Sequence, residues 1–146
     1  MTEKIRCFED LTARELYEIL RLRSEVFIVE QGGRYLDQDG VDYDSIHLFY
    51  EDPQGRVLGC IRIFPKEDEP GTVQLGRLVV RDRGLGLGRQ LMDRAARIAR
   101  TDLNAGSLYL TGRADALGFY RKCGYEIQAP GLVDGVVQYY HLRKDL

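Results

Sequence analysis

Between positions 78 and 89 the chain reads Leu-Val-Val-Arg-Asp-Arg-Gly-Leu-Gly-Leu-Gly-Arg, an apolar strand that runs through alternating glycines into a helix. Glycine lets the backbone turn where a side chain would clash, and the start of a helix adds unpaired N–H groups and the positive end of its dipole. Such a place holds phosphate, although a tight turn alone would also account for the glycines. The P-loop requires Lys followed by Ser or Thr after its last glycine, whereas Gly88 is followed by Arg89 and Gln90. The dinucleotide fingerprint spaces its glycines at one, three and six, and Gly84, Gly86 and Gly88 stand at one, three and five. A carboxylate to hold a ribose is lacking too, because Asp102 falls at a helix end.

The rest of the pattern supplies a frame for that loop. Ile5 and Cys7 alternate with charged neighbours as a short first strand, and Thr12, Glu15, Leu11 and Leu16 form a helix start. Leu16, Ile19, Leu20, Arg23 and Phe27 recur at helical spacing, so that helix extends to Val26 or Phe27 and ends at Gly32–Gly33. The stretch from Gly33 to Asp44, with Asp37, Asp39, Asp42 and Asp44, reads as an exposed loop. Ile46–Tyr50 and Val57–Phe64 form a hairpin through Asp52–Gly55, and Thr72–Val80 adds a third strand. A helix from Gly88 to Asn104 presents Leu91, Ala95, Ile98 and Ala99 on one face. Ser107–Thr111 is a strand, Asp115–Lys122 a helix, and Tyr125–Gln128 and Val136–Leu142 are last strands around a turn at Pro130–Gly131. This order implies an α/β (α+β) architecture, a mixed sheet covered by helices.

At 146 residues the chain has room for one domain, residues 1–146. No apolar run reaches the roughly 18 residues of a membrane span, and the start Met1–Arg6 lacks a secretory core, so a cytoplasmic protein is expected. Cys7, Cys60 and Cys123 have no paired spacing, which points to neither a disulfide framework nor a metal site. A net charge of -2 argues against nucleic acid as a partner. Yet residues 1–52 hold 13 acidic and 6 basic side chains (net -7), and residues 77–100 hold 7 arginines against 2 aspartates (net +5). One part of the surface would then favour a cationic partner and the other an anionic one.

Arg83-Gly84-Leu85-Gly86-Leu87-Gly88 resembles the Arg-x-x-Gly-x-Gly coenzyme A loop of the GNAT superfamily of N-acetyltransferases. Gly118-Phe119-Tyr120-Arg121-Lys122-Cys123-Gly124-Tyr125 resembles that superfamily's second signature, and Leu22–Gln31 with the aspartate loop and His47 looks like its ElaA-like branch. The resemblance implies a mostly antiparallel central sheet of about seven strands, splayed in the middle and flanked by three to four helices. It further implies that acetyl-CoA is the co-substrate, with its pyrophosphate on the amides of Arg83, Gly84, Leu85, Gly86, Leu87, Gly88 and Arg89, and its pantetheine arm on the backbone of Leu78, Val79 and Val80. Tyr120 would be the general acid toward the departing thiolate, with a packed core aromatic as the lesser reading of its ring.

The expected activity is acetyl transfer to a primary amine of a small molecule or peptide by direct attack in a ternary complex. A non-catalytic acyl-CoA sensor is the alternative. For the acceptor, Arg23 (with Arg21) could meet an anionic part and Glu30 could bind or deprotonate a cationic amine. The histidine of the ElaA-like last strand is replaced by Gln138, and His141 falls with Tyr139 on the opposite strand face, so the general base is left open. His47 reads better as a satisfied strand histidine, and Cys123 as core. A homodimer through Val136–Leu142 is possible in such an architecture.

Overall fold

A computed structural model describes residues 1–146. Seven strands form one sheet in the order β1-β2-β3-β4-β5-β7-β6, where β1 is Thr2–Cys7, β2 Ile46–Glu51, β3 Val57–Pro65, β4 Thr72–Val80, β5 Ser107–Arg113, β6 Glu126–Val133 and β7 Val136–Asp145. All neighbours are antiparallel except β4 and β5. A parallel pair needs a long crossover. Helix α2 (Leu87–Asp102) provides it, and the glycine loop lies where β4 passes into that helix.

Local chemistry explains most of the connections. Asp52 turns the β2–β3 hairpin by accepting the amides of Gln54 and Arg56, both at 2.9 Å, with Gly55 at φ 82°. The final hairpin turns at Asp134–Gly135, not at Pro130–Gly131 as the pattern suggested. Both turn residues have positive φ (52° and 79°), which the tight turn of a right-twisted hairpin requires and which Asp-Gly accommodates. Pro130 instead lies within edge strand β6, where a missing N–H costs least.

The sheet is covered on both faces. On one, Leu91, Ala95, Ile98 and Ala99 of α2 bury themselves against Leu48, Ile63, Leu75 and Leu108. On the other, Ile19 and Leu22 of α1 (Ala13–Arg23) pack with Phe49, Cys60 and Val79. Thr12 and Glu15 cap α1 reciprocally, at 3.1 and 2.9 Å. The helix does not stay α-helical to Phe27. It widens at Ser24–Glu30 into a π-helical segment, marked by the bond from Gln31 N–H to Val26 O, and stops at Gly32 with φ 70°. A widened turn swings side chains off the regular helical face.

The aspartate loop is not simply exposed. Asp37 and Asp42 are 6% and 7% exposed, and the fully buried Arg23 joins them, Nε to Asp37 at 2.8 Å and Nη1 to Asp42 at 2.8 Å. Arg62 ties Asp39 and Asp42, and Arg77 ties Asp37 and Asp39. Arg23 therefore holds the loop to the sheet and is inaccessible to an acceptor. A helical repeat places it on the inner face, but its partners lie 14 and 19 residues away.

Candidate functional site

Strands β4 and β5 pair only from Thr72–Gln74 against Ser107–Tyr109 and then part. Part of the cause is written in β4. Cys60 pairs with Val79 and Arg62 with Gly76, so Arg77 and Leu78 together oppose the single residue Ile61. Arg77 carries this bulge at φ 53°, held by Nε donating to Asp37 at 2.9 Å. A bulge bends its strand and withdraws it from pairing. The gap opens into a cavity of about 510 Å³, within the range of small-ligand sites. Leu78, Val79 and Val80 line one wall, Thr111 and Arg113 of β5 the facing one, and Val26 and Phe27 of the π-helical segment close over them.

The glycine loop forms one end of this cavity. Gly84 and Gly86 sit at φ 82° and 78°, and a side chain built on either would meet nothing within 4 Å. Arg81 N–H bonds to Leu58 O and Gln90 N–H to Gly86 O; between them the turn at Arg83–Gly84 directs one amide inward, and no other amide has a close backbone acceptor. The N-cap of α2 is Gly86, which has no side chain to satisfy those donors. Open amides around a helix start are the donor set a diphosphate needs. These residues fit that group. Arg83 reaches across to Glu30, Nη2 to Oε2 at 2.7 Å, with both side chains largely exposed.

Tyr120, on α3 (Leu117–Lys122), lines the other side of the cavity. Its ring packs edge-on against Phe119 and Tyr125 and lies directly over Gly112 of β5. A Cβ at Gly112 would fall 2.5 Å from Tyr120 Cε2. Burial pushes the phenol up to about 12, and no hydrogen bond contributes to that shift. The hydroxyl is consequently protonated at any physiological pH.

The other expected residues fall elsewhere. Glu30 lies at the rim, where it pairs with Arg83 while both side chains stay largely exposed. His47 is buried, with Nε2 2.9 Å from Asp42 O, and burial lowers its pKa. Cys123 is core. His141 shares a face with Tyr139 and approaches Tyr109 Oη at 2.5 Å. Sequence reasoning passed over Arg113, Gln31 and Gly112. Strand alternation through Leu108 and Leu110 places Arg113 on the opposite face, and a glycine inside a strand marks a close approach, so two of these carried a signal.

The chain is similar to known proteins over most of its length. The family model described as Acetyltransferase (GNAT) family matches residues 11–125. Escherichia coli ElaA is 31% identical over 120 residues, covering 80% of this chain and 78% of ElaA. Its crystal structure superposes with a TM-score of 0.88, at 26% identity over 99% of each chain. An acyl-CoA N-acyltransferase from Pseudomonas aeruginosa superposes at 0.87, with 31% identity over 99% of each chain.

Proposed function

The chain belongs to the GNAT acetyltransferase family, in its ElaA-like branch, and we propose that it moves acetyl from acetyl-CoA to a primary amine of a small molecule or peptide by direct attack in a ternary complex. The observation that carries this reading is a single cavity with unpartnered loop amides at one end and a protonated phenol in its wall. Acetyl-CoA supplies an activated acyl group and a thiolate leaving group. The amides of residues 83–89 hold its diphosphate, and main-chain groups of Leu78, Val79 and Val80 on the parted edge of β4 hold its pantetheine arm and polarise the carbonyl. Fixed dipoles of this kind need no reorganisation as charge develops on the carbonyl oxygen.

Tyr120 then gives its proton to the departing sulfur as the C–S bond breaks, and the proton that the attacking nitrogen sheds on becoming an amide returns to the phenolate through water. A general base is absent from the lining, which contains neither a carboxylate nor a histidine. The acceptor amine therefore loses its proton to water before it attacks. Two outcomes follow, each read by thiol release from acetyl-CoA over a panel of amines, amino acids and peptides. Tyr120→Phe lowers turnover about tenfold or more while coenzyme A affinity is kept. The rate with native protein climbs with pH toward the pKa of the amine and moves when an amine of different basicity is used. A profile fixed by the protein, the same for every acceptor, would contradict this. Tight coenzyme A binding without thiol release from acetyl-CoA in the presence of any acceptor would support the sensor alternative.

A further inference from the structure

The ionised side chains lining the cavity are Arg77, Arg83 and Arg113, all of one sign. The aspartates of the loop before β2 are paired within the fold, since Asp37, Asp39 and Asp42 bind Arg23, Arg62 and Arg77. Of the three lining arginines, Arg77 is turned inward onto Asp37 and Asp39, and Arg83 belongs to the glycine loop. Arg113 is left. It stands at the end of β5, past the point where the strands part, on the wall facing the π-helical segment.

Its environment shows what it can hold. Nε and Nη2 grip both oxygens of Asp115, at 3.1 and 3.0 Å, in the two-pronged geometry with which guanidinium takes a carboxylate. Nη1 donates across the cavity mouth to Gln31 Oε1 at 2.8 Å. The side chains of Arg113 and Asp115 are 54% and 69% exposed, and an exposed ion pair of this kind is weak enough for a competing carboxylate to displace Asp115. Phe27, Tyr35 and Phe119 add aromatic surface nearby.

We propose that the acceptor is an amino acid or closely similar amino-carboxylate, and that Arg113 receives its carboxylate while the amine points toward Tyr120. This rests on the acetyltransferase reading and narrows its substrate class. It sets polyamines and other purely cationic amines apart, because nothing in the lining balances a second positive charge.

Matched pairs test it: phenylalanine with phenethylamine and tryptophan with tryptamine, each titrated calorimetrically into the coenzyme A-saturated protein and each assayed for acetylation. The acid-bearing member is expected to bind at least about tenfold more tightly and to be acetylated with the higher kcat/KM. Arg113→Gln should raise KM for the acid about tenfold, leave the amine partner unaffected and leave coenzyme A affinity unchanged. Asp115→Asn, which frees the guanidinium, should lower that KM. A merely structural Arg113 would not give these opposite shifts. The proposal is overturned if the decarboxylated amine binds as well or better, if neither member binds, or if Arg113→Gln weakens both alike. Thiol release without a preference for the acid leaves the acetyltransferase reading standing and removes this one. Selective binding of the acid without thiol release removes the acetyltransferase reading and with it the acid as acceptor, leaving Arg113 only a carboxylate-binding group.

Discussion

Gly112 and Tyr120 act as a pair, because the missing side chain of the first makes room for the ring of the second. A methyl group at position 112 would stand 2.5 and 2.7 Å from two ring carbons of Tyr120, and 3.1 Å from Leu142 Cδ1. The ring must move, since strand β5 is held by β7 and cannot. Gly112→Ala is therefore expected to reduce turnover about as far as Tyr120→Phe does, with roughly 1–3 kcal/mol lost in stability from overpacking. Coenzyme A titration should show affinity kept in both variants. Full turnover by Gly112→Ala would mean that the phenol's position is unimportant. Tyr120 was legible from its place in the second signature, whereas the role of Gly112 depends on which helix crosses the strand above it.

Among the elements, the loop from β4 into α2 is the one in which local backbone geometry and ligand chemistry coincide. Gly86 has φ 78° and caps α2, and open space surrounds the position of a Cβ. Gly86→Val would force a branched side chain into the left-handed region, at a cost of about 1–2 kcal/mol, or tip the loop out of it. Because no packing is lost, the thermal midpoint should fall by only a few degrees. Coenzyme A affinity should fall much further, by about tenfold or more, as the amides lose their common aim. Calorimetry on the folded variant checks this, and unchanged affinity would move the diphosphate elsewhere. The capping box of α1 and the glycine loop were readable because a few adjacent residues specify them. The π-helical widening at Ser24–Glu30 was not, since the same apolar spacing serves an ordinary helix.

Across the whole molecule, charges far apart in sequence decide acid stability. Burial works to raise the pKa of Asp42, but bonds to Arg23 and the charges of Arg23 and Arg62 outweigh it and the value is lowered. For Asp39 the hydrogen bonds from Arg62 come first and hold its carboxyl far below the usual range. A carboxylate depressed in the folded state stabilises it above its unfolded pKa of about 3.9, and that contribution is lost as the pH falls further. His47 is lowered by burial, so its contribution is complete above about 6.5 and declines below. Urea unfolding should accordingly show stability falling in two stages, first below about pH 6.5 and then more steeply below about pH 4. His47→Gln should abolish the first stage and keep the second. A single stage in the native protein would rule out the buried neutral histidine.

The order of strands and helices, the capped start of α1 and the open glycine turn of residues 83–89 were set by the sequence alone, because hydrophobic period, cap chemistry and glycine φ act over a few neighbouring residues. Arg23 and the net charge of the early segment suggested something the folded chain does not do. Guanidinium and carboxylate groups separated by 14 to 40 residues neutralise one another in the interior, and only their burial reveals it. The same tertiary event decides which charges remain for a ligand. It removes Asp37, Asp42 and Arg23 from reach and leaves Arg113 at the cavity wall, since the worth of an ion pair depends on how far water is excluded from it.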